Sequence, residues 1–455
     1  SIGTSPRINV TLKNCNVTNG LNTSTAVAVT DATVLGNDGY FNNITVQNNL
    51  IKNAYIGIYS RAFVSAGNGS GLNINNNDLS SSGSDAIRFT GIYLQGIDGG
   101  SVANNLIGNF NTASDEDDNG IFLATGVKNI SVLSNKISNL GYTGINGYGA
   151  HGILVSSGVL AANILVANNM ISNMYGDGWS YTAVAADNPI GIALTSTQDG
   201  ISIYHNSINL SGNTLNQSGA MSMGIFLNTG SVADIRNNII VNNLGLTGAT
   251  GYGSVGIYAA TANTQFTDIN YNNYICNPTG TGAKYTGQIS TTGSALLSDW
   301  QTATTKDANS VSINPVFTSA TDLHLIPESN ITLNNLGTPI ALVTTDIDND
   351  TRNVTTPDIG CDEYTPMVCE GQPSAGTVSP GTISLCNGLT TIITATGIST
   401  GSGISYQWKT GPAGGPYTNV TGGSGATTAS YTTPTLTIGT YYYVLETTCA
   451  NSMQN

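Results

Sequence analysis

Short apolar–polar alternations recur along the first 277 residues, and most share one phrase. An aliphatic residue is followed at the third position by Asn, two positions later by a second aliphatic, and often by Asn two further on. Val46 to Asn53 reads VQNNLIKN, Val102 to Asn109 VANNLIGN, Val132 to Asn139 VLSNKISN, Val166 to Asn173 VANNMISN, and Ile235 to Asn242 IRNNIIVN. Looser copies lie at Ile74 to Ser81, Ile203 to Leu210 and Asn270 to Asn277, and Leu12 to Asn19 carries Cys15 in the Asn slot. The anchors are Cys15, Asn49, Asn77, Asn105, Asn135, Asn169, Asn206, Asn238 and Asn273, spaced 34, 28, 28, 30, 34, 37, 32 and 35 residues apart. A Gly-Ile pair precedes most anchors, as at Gly91-Ile92, Gly120-Ile121, Gly152-Ile153 and Gly191-Ile192. Each repeat therefore predicts at least two short strands.

One geometry accommodates this pattern. If each repeat is one turn of a coil, turns stack ~4.8 Å apart as parallel strands. The aliphatics at −3 and +2 then point inward. The anchor sits at a corner, where a positive φ is expected, and Asn tolerates that best among non-glycine residues. Stacked Asn side chains would form a hydrogen-bonded ladder. The phrase resembles the right-handed parallel β-helix repeat of the pectate-lyase-like superfamily over about residues 1–365. That resemblance implies an all-β solenoid and leaves function open, because the fold serves lyases, hydrolases, adhesins and phage spikes.

The repeat fades after Asn277. Ile313-Asn-Pro-Val-Phe317, Asp322-Leu-His-Leu325, Asp346-Ile-Asp-Asn-Asp-Thr-Arg352 and Pro357-Asp-Ile-Gly-Cys-Asp-Glu-Tyr364 follow in order. They resemble the closing segment of bacterial secreted β-helix proteins of the choice-of-anchor type, with Cys361 departing from the small residue usual there. The resemblance implies a C-terminal cap over 312–365, since an open last turn exposes strand edges. Asparagine marks a boundary near 366: 51 precede that residue and four follow. The tail, 366–455, predicts short strands at Thr390 to Thr396, Ser405 to Lys409, Ser430 to Leu436 and Tyr441 to Thr447. Its Cys369-Glu-Gly-Gln-Pro373 start and Ser405-Tyr-Gln-Trp408 strand resemble the immunoglobulin-like modules of large surface adhesins of type IX-secreting bacteria. Only six residues follow Cys449, so the module is expected to be incomplete and the natural chain to continue past Asn455.

Composition narrows the function. Charged residues make up 8% of the 455-residue chain and the net charge is −14. So few cations argue against nucleic acid, which needs a basic patch. No apolar run reaches the ~18 residues of a membrane-spanning helix. No signal peptide opens the sequence, which suggests a mature or trimmed fragment. None of the six cysteines forms a CxxC pair, which argues against zinc ligation by cysteine. Cys449 is expected to pair with Cys386 or Cys369, and Cys15 and Cys276 to be buried free thiols.

Long insertions fall at one place in the repeat: 111–119, 141–150, 175–189, 211–223 and 245–254. In a stacked coil they form one face. Tyr142, Tyr148, Tyr175, Trp179, Tyr181 and Tyr252 lie on them, and aromatic rings beside amides and carboxylates suit sugar contact; the plainer alternative is that they pin their own loops. Asp115 to Asp118 is a dense acidic run, and Asp346, Asp348 and Asp350 resemble the start of a calcium loop without its Gly or closing Glu. Arg352 is the alternative partner for that trio. Catalytic residues do not emerge. Asp234 and Asp268 stand alone, Arg88 and Arg236 have no acidic neighbour visible at rung spacing, and His151, His205 and His324 are scattered and expected at the surface. The expectation is a non-enzymatic, secreted or cell-surface module of a larger adhesin-like protein. Its expected partners are surface glycans or other cell-surface proteins, besides the secretion machinery that exports it. It requires no cofactor, with structural calcium the one ion its acidic loops suggest. The competing expectation is a polysaccharide lyase or glycoside hydrolase using the β-helix groove.

Overall fold

The structure, a computed structural model, describes residues 6–20, 23–30, 34–65, 67–180, 187–246, 253–280, 282–366, 369 and 371–449. The chain divides into two compact units: residues 1–325 with 332–364, and residues 326–331 with 365–455. The first is a parallel β-solenoid.

Each turn contributes one strand to each of three sheets. A representative turn runs Lys128–Leu133 in sheet A, Lys136–Tyr142 in sheet B and Ala150–Val155 in sheet C. Sheet A extends from Arg7–Lys13 to Phe266–Asn270 and sheet B from Asn16–Thr18 to Asn273–Ile275. Sheet C extends from Thr25–Val29 to Ala283–Ile289, which turns back antiparallel onto Thr292–Ser294. The inward aliphatics stack in register. Val102, Val132, Val166, Ile203, Ile235 and Ile269 line sheet A, and Ile107, Ile137, Ile171, Ile208 and Ile240 line sheet B. All belong to one continuous buried cluster.

Every corner between sheets A and B is two residues long, and the second is the anchor. The positive φ falls on the first. Asn14, Asn48, Asn76, Asn104, Ser134, Asn168, His205, Asn237 and Tyr271 all have φ between 52° and 59°. This corrects the expectation that the anchor itself bends the chain. The preceding residue turns left-handed, which frees the anchor side chain to point along the stack. Asn135 shows the pattern. Its Oδ1 accepts from the backbone N and Nδ2 of Asn105, at 3.0 and 2.9 Å. Its own N and Nδ2 donate to Asn169 Oδ1, and Nδ2 also donates to Val102 O at 2.9 Å. The chain of bonds runs through Asn49, Asn77, Asn105, Asn135, Asn169, Asn206 and Asn238, all at most 2% exposed.

The last position is Asn272, not Asn273. Asn238 donates to Asn272 Oδ1 from both N and Nδ2. Tyr271 takes the left-handed corner, so the anchor moves one residue earlier than the Asn-Asn pair suggests. Asn273 instead exchanges two hydrogen bonds with the backbone of Ile313, each 2.8 Å.

The Gly-Ile pairs have a packing reason. A methyl at Gly152 would lie 2.4 Å from Ile171 Cγ2 and 2.6 Å from Gly191 O. Gly91, Gly120, Gly191 and Gly224 meet the sheet B isoleucine of the following turn in the same way. The glycine column lets sheets B and C approach.

The last turn is closed by helix α1, Leu297–Thr304. Trp300 is fully buried, edge-on to Phe266, and its Nε1 donates to Asp307 Oδ2, which also accepts from Tyr274 Oη. The ladder ends there too, with Asn272 N donating to Ser310 Oγ at 2.8 Å. Residues 312–325 and 332–364, part of the 312–365 segment expected to cap this end, lie along the outside of the coil. Ile340 and Val343 pack on Ala167 and Tyr204; Leu323, Ile347 and Cys361 pack on Met170; Leu325, Ile359 and Tyr364 pack on Ile239 and Val241. Arg352, 4% exposed, ties this strap to the coil through Asn168 Oδ1 at 2.9 Å.

The second unit holds two three-stranded antiparallel sheets. One orders Thr377–Ser379, Ile392–Thr396 and Ser430–Thr432; the other orders Thr418–Asn419, Ile404–Gly411 and Tyr442–Cys449. Ile393, Ala395, Trp408, Tyr431 and Leu445 form its core. Cys449 is bonded to Cys369, and Cys386 is free and exposed.

Two substitutions test this construction. Asn135→Leu strands the Asn105 donors and the Val102 carbonyl, and is expected to cost at least about 1–3 kcal/mol. Gly152→Ala forces a methyl into backbone and Ile171, and is expected to cost about 1–3 kcal/mol. Denaturant midpoints measure both; an unchanged midpoint would contradict the corresponding contact.

Candidate functional site

The insertions emerge between sheets B and C, one above the next. They are knitted by side chains that cap backbone donors of neighbouring turns. Asp115 Oδ1 accepts from Tyr142 Oη at 2.7 Å, and Asn146 Nδ2 reaches both its oxygens; these bonds hold Asp115 below the usual carboxylate range. Asp177, 4% exposed, accepts from Gly147 N, Tyr148 N and Gln217 Nε2. Asn188 Oδ1 accepts from Trp179 N and Met221 N.

The predicted aromatics divide accordingly. Tyr142 is buried and edge-on to Tyr148, which is half-buried. Half-buried Tyr175 lays its ring over Gly141 of the preceding turn, where a methyl would fall 2.5 Å from Cδ2. Trp179 is 39% exposed and its indole packs on Gly147. Tyr181 and Tyr252 lie outside the described residues. The face thus has loop-pinning tyrosines around one open tryptophan.

Beneath the same loops lies a carboxylate group that the sequence showed only as an acidic run. Burial pushes Asp117 up to about 8, and it is hydrogen-bonded to Asp187, itself raised by burial. Asp117 Oδ1 also accepts from Gly149 N at 2.8 Å. Asp118 is fully buried with no hydrogen bond to either oxygen, and burial beside Glu116 and Asp117 pushes it well up. Glu116 is ionically satisfied: Arg88 Nη2 lies 2.9 Å from Oε1, and Tyr55 Oη donates to Oε2 at 3.0 Å. A carboxyl holding its proton against a neighbouring carboxylate can act as an acid or simply stay neutral in a buried site.

Several expectations need correction. Arg88 does have an acidic partner at rung spacing, Glu116, 28 residues on. Asp234 and Asp268 are not isolated. They are register partners in sheet A, and Arg236 pairs with Asp234 at 2.7 Å and lies 3.8 Å from Asp268. His151 and His205 are buried rather than at the surface, bonded to Asn119 Oδ1 and Asn237 Nδ2. Cys15 is exposed, since it heads the stack, while Cys276 is half-buried. Burial pushes the Cys276 thiol up to about 12, which makes it a poor nucleophile.

The Asp346, Asp348, Asp350 trio does not converge. Asp346 is buried and caps its own turn: Oδ1 accepts from Asp348 N and Asp350 N, and Oδ2 from Glu363 N. Asp348 and Asp350 are exposed. Arg352 pairs with Glu363 instead of this trio. Among the described residues, the histidine and carboxylates that do converge are His324, Asp348 and Asp362.

No protein-family model, curated protein or solved structure matches the chain. No described helix is long and apolar enough to cross a membrane.

The Asp117 proton has a measurable consequence. The folded protein holds it from the ordinary carboxylate range up to about pH 8, whereas the unfolded chain releases it near 4. The wild type therefore loses stability across that interval as pH rises. Asp117→Asn imitates the protonated form. It is expected to match wild type at pH 4 and to exceed it increasingly towards pH 8. Parallel denaturation curves across this range would contradict the buried, protonated assignment.

Proposed function

We propose that the solenoid is a non-catalytic contact module of a larger secreted surface protein, and that it engages glycans through the loop face around Trp179. The observation that carries this reading is the indole: 39% exposed, seated on Gly147, with its backbone fixed by Asn188. A ring held in this way offers apolar surface for a sugar face, and the surrounding amides and tyrosine hydroxyls suit sugar hydroxyls. Turns stand ~4.8 Å apart, close to the length of one sugar residue, so adjacent rings of a glycan would meet adjacent turns. The antiparallel unit is read as an immunoglobulin-like spacer. Its paired three-stranded sheets, buried Trp408 and Cys369–Cys449 cross-link support that reading. The cross-link also favours an oxidising, extracellular setting.

A specific observation favours a second reading. The Asp117–Asp187 carboxyl pair beneath the same loops is the arrangement a carbohydrate-active enzyme would use for proton transfer. Against it stands the capping of Asp117 by Gly149 N, a structural task.

Glycan-array binding of the full chain, followed by affinity and melting measurements on Trp179→Ala, tests the first reading. Affinity should fall about tenfold or more with the melting temperature unchanged. Lower stability with intact binding would make Trp179 a loop pin. Release of reducing ends or unsaturated products, abolished in Asp187→Asn, would install the enzymatic reading instead.

A further inference from the structure

Three separate segments of the lateral strap bring one ligand-bearing side chain each to a common point. His324 comes from the stretch before Leu325, Asp348 from the turn capped by Asp346, and Asp362 from the segment ending at Tyr364. One ligand atom from each lies within 4.8 Å of the others. The chain positions next to them are anchored in apolar clusters: Leu323, Ile347 and Cys361 pack with Met170, and Leu325 packs with Ile239. The three side chains are therefore held by the packing of their neighbours, as a preorganised site requires.

The histidine is oriented as a ligand. Its Nδ1 is engaged by the Asp322 carboxylate, which fixes the ring and directs Nε2 at Asp348 and Asp362. A carboxylate on the far nitrogen is the usual second-sphere partner of a metal-bound imidazole. Nε2 is buried, lies 2.7 Å from Asp348 Oδ2 and makes no hydrogen bond. Asp362 is 8% exposed and oriented by Leu325 N, which donates to Oδ2 at 2.8 Å.

We propose that His324, Asp348 and Asp362 bind one divalent transition-metal ion of the zinc type, with Asp322 orienting the histidine, and that the ion staples the three strap segments together. One imidazole nitrogen with two carboxylate oxygens suits zinc, whereas calcium takes oxygen ligands in larger number. The proposal is independent of glycan binding, since the residues lie on the strap and not on the loop face.

The test uses the full chain after chelator treatment and dialysis. Titration with Zn²⁺ by calorimetry should give one site, and the melting temperature should rise by several degrees with saturating Zn²⁺. Asp348→Asn removes an exposed ligand that carries no core contact, so it should fold as wild type and lose both the heat and the stabilisation. His324→Ala should do the same. Absence of binding in the wild type, or stabilisation that persists in Asp348→Asn, would overturn the site. Stabilisation by Ca²⁺ in preference to Zn²⁺ would overturn the metal class assigned here.

Discussion

The buried amide column between sheets A and B is the constraint on which the rest of the first unit depends. Each Asn both receives and gives along the stack and returns one bond to a strand carbonyl of the turn behind it. A buried amide left unpaired is costly, so no turn can slip relative to its neighbours without breaking several bonds at once. The column fixes the A–B corner at two residues in every turn. Variation in repeat length is thereby excluded from that corner. The longest connection within the coil, between Met170–Tyr175 and Ile190–Leu194, lies on the side between sheets B and C, where the chain is free to be irregular.

Much of this was legible from spacing alone. The aliphatics at −3 and +2 and the anchor amides carry a strong periodic signal, because each turn repeats the same packing problem. The finer assignment was not. In Asn48-Asn49 or Asn104-Asn105 both residues are asparagine, and only the backbone tells which one bends and which one stacks. At the last turn the doublet is displaced, so Asn273 looked like an anchor while Asn272 occupies the place. The Gly-Ile pairs were visible as a pattern without a cause; the cause is the isoleucine of sheet B across the coil. The end cap over 312–365 is what the resemblance implies, and the segment has no sequence period from which its lateral course could be inferred. The Arg88–Glu116 and Asp117–Asp187 pairs were hidden for a related reason. Partners one and two turns apart in the coil are 28 and 70 residues apart in the chain.

The two halves of the first unit solve the same polar problem with different chemistry. The coil uses neutral amides, which can donate and accept repeatedly along a line. The loops and strap use carboxylates to gather backbone N–H groups where no regular ladder exists: Asp177 over the loop face, Asp346 in its turn, and Asp358, which accepts from Tyr364 N and is pushed up by burial to about 7. Each gathers donors from a stretch that would otherwise bury them unpaired. A chain with few charges thus spends a good share of its aspartates on holding irregular backbone in place.

The lateral course of the strap alters how the coil shares load. In an unsupported solenoid each turn touches only its neighbours, so unfolding proceeds like a zipper from whichever end is free. Here residues 312–325 and 332–364 bridge the turns from Asn168 to Asn273, fastened at Arg352, Cys361 and Ile313. Those turns form one cooperative block, while the turns before them remain linked only in series. Force applied at the amino-terminal end would peel single turns away in small steps, then meet a much larger barrier at the strapped block, giving the molecule a soft extensible end and a rigid base.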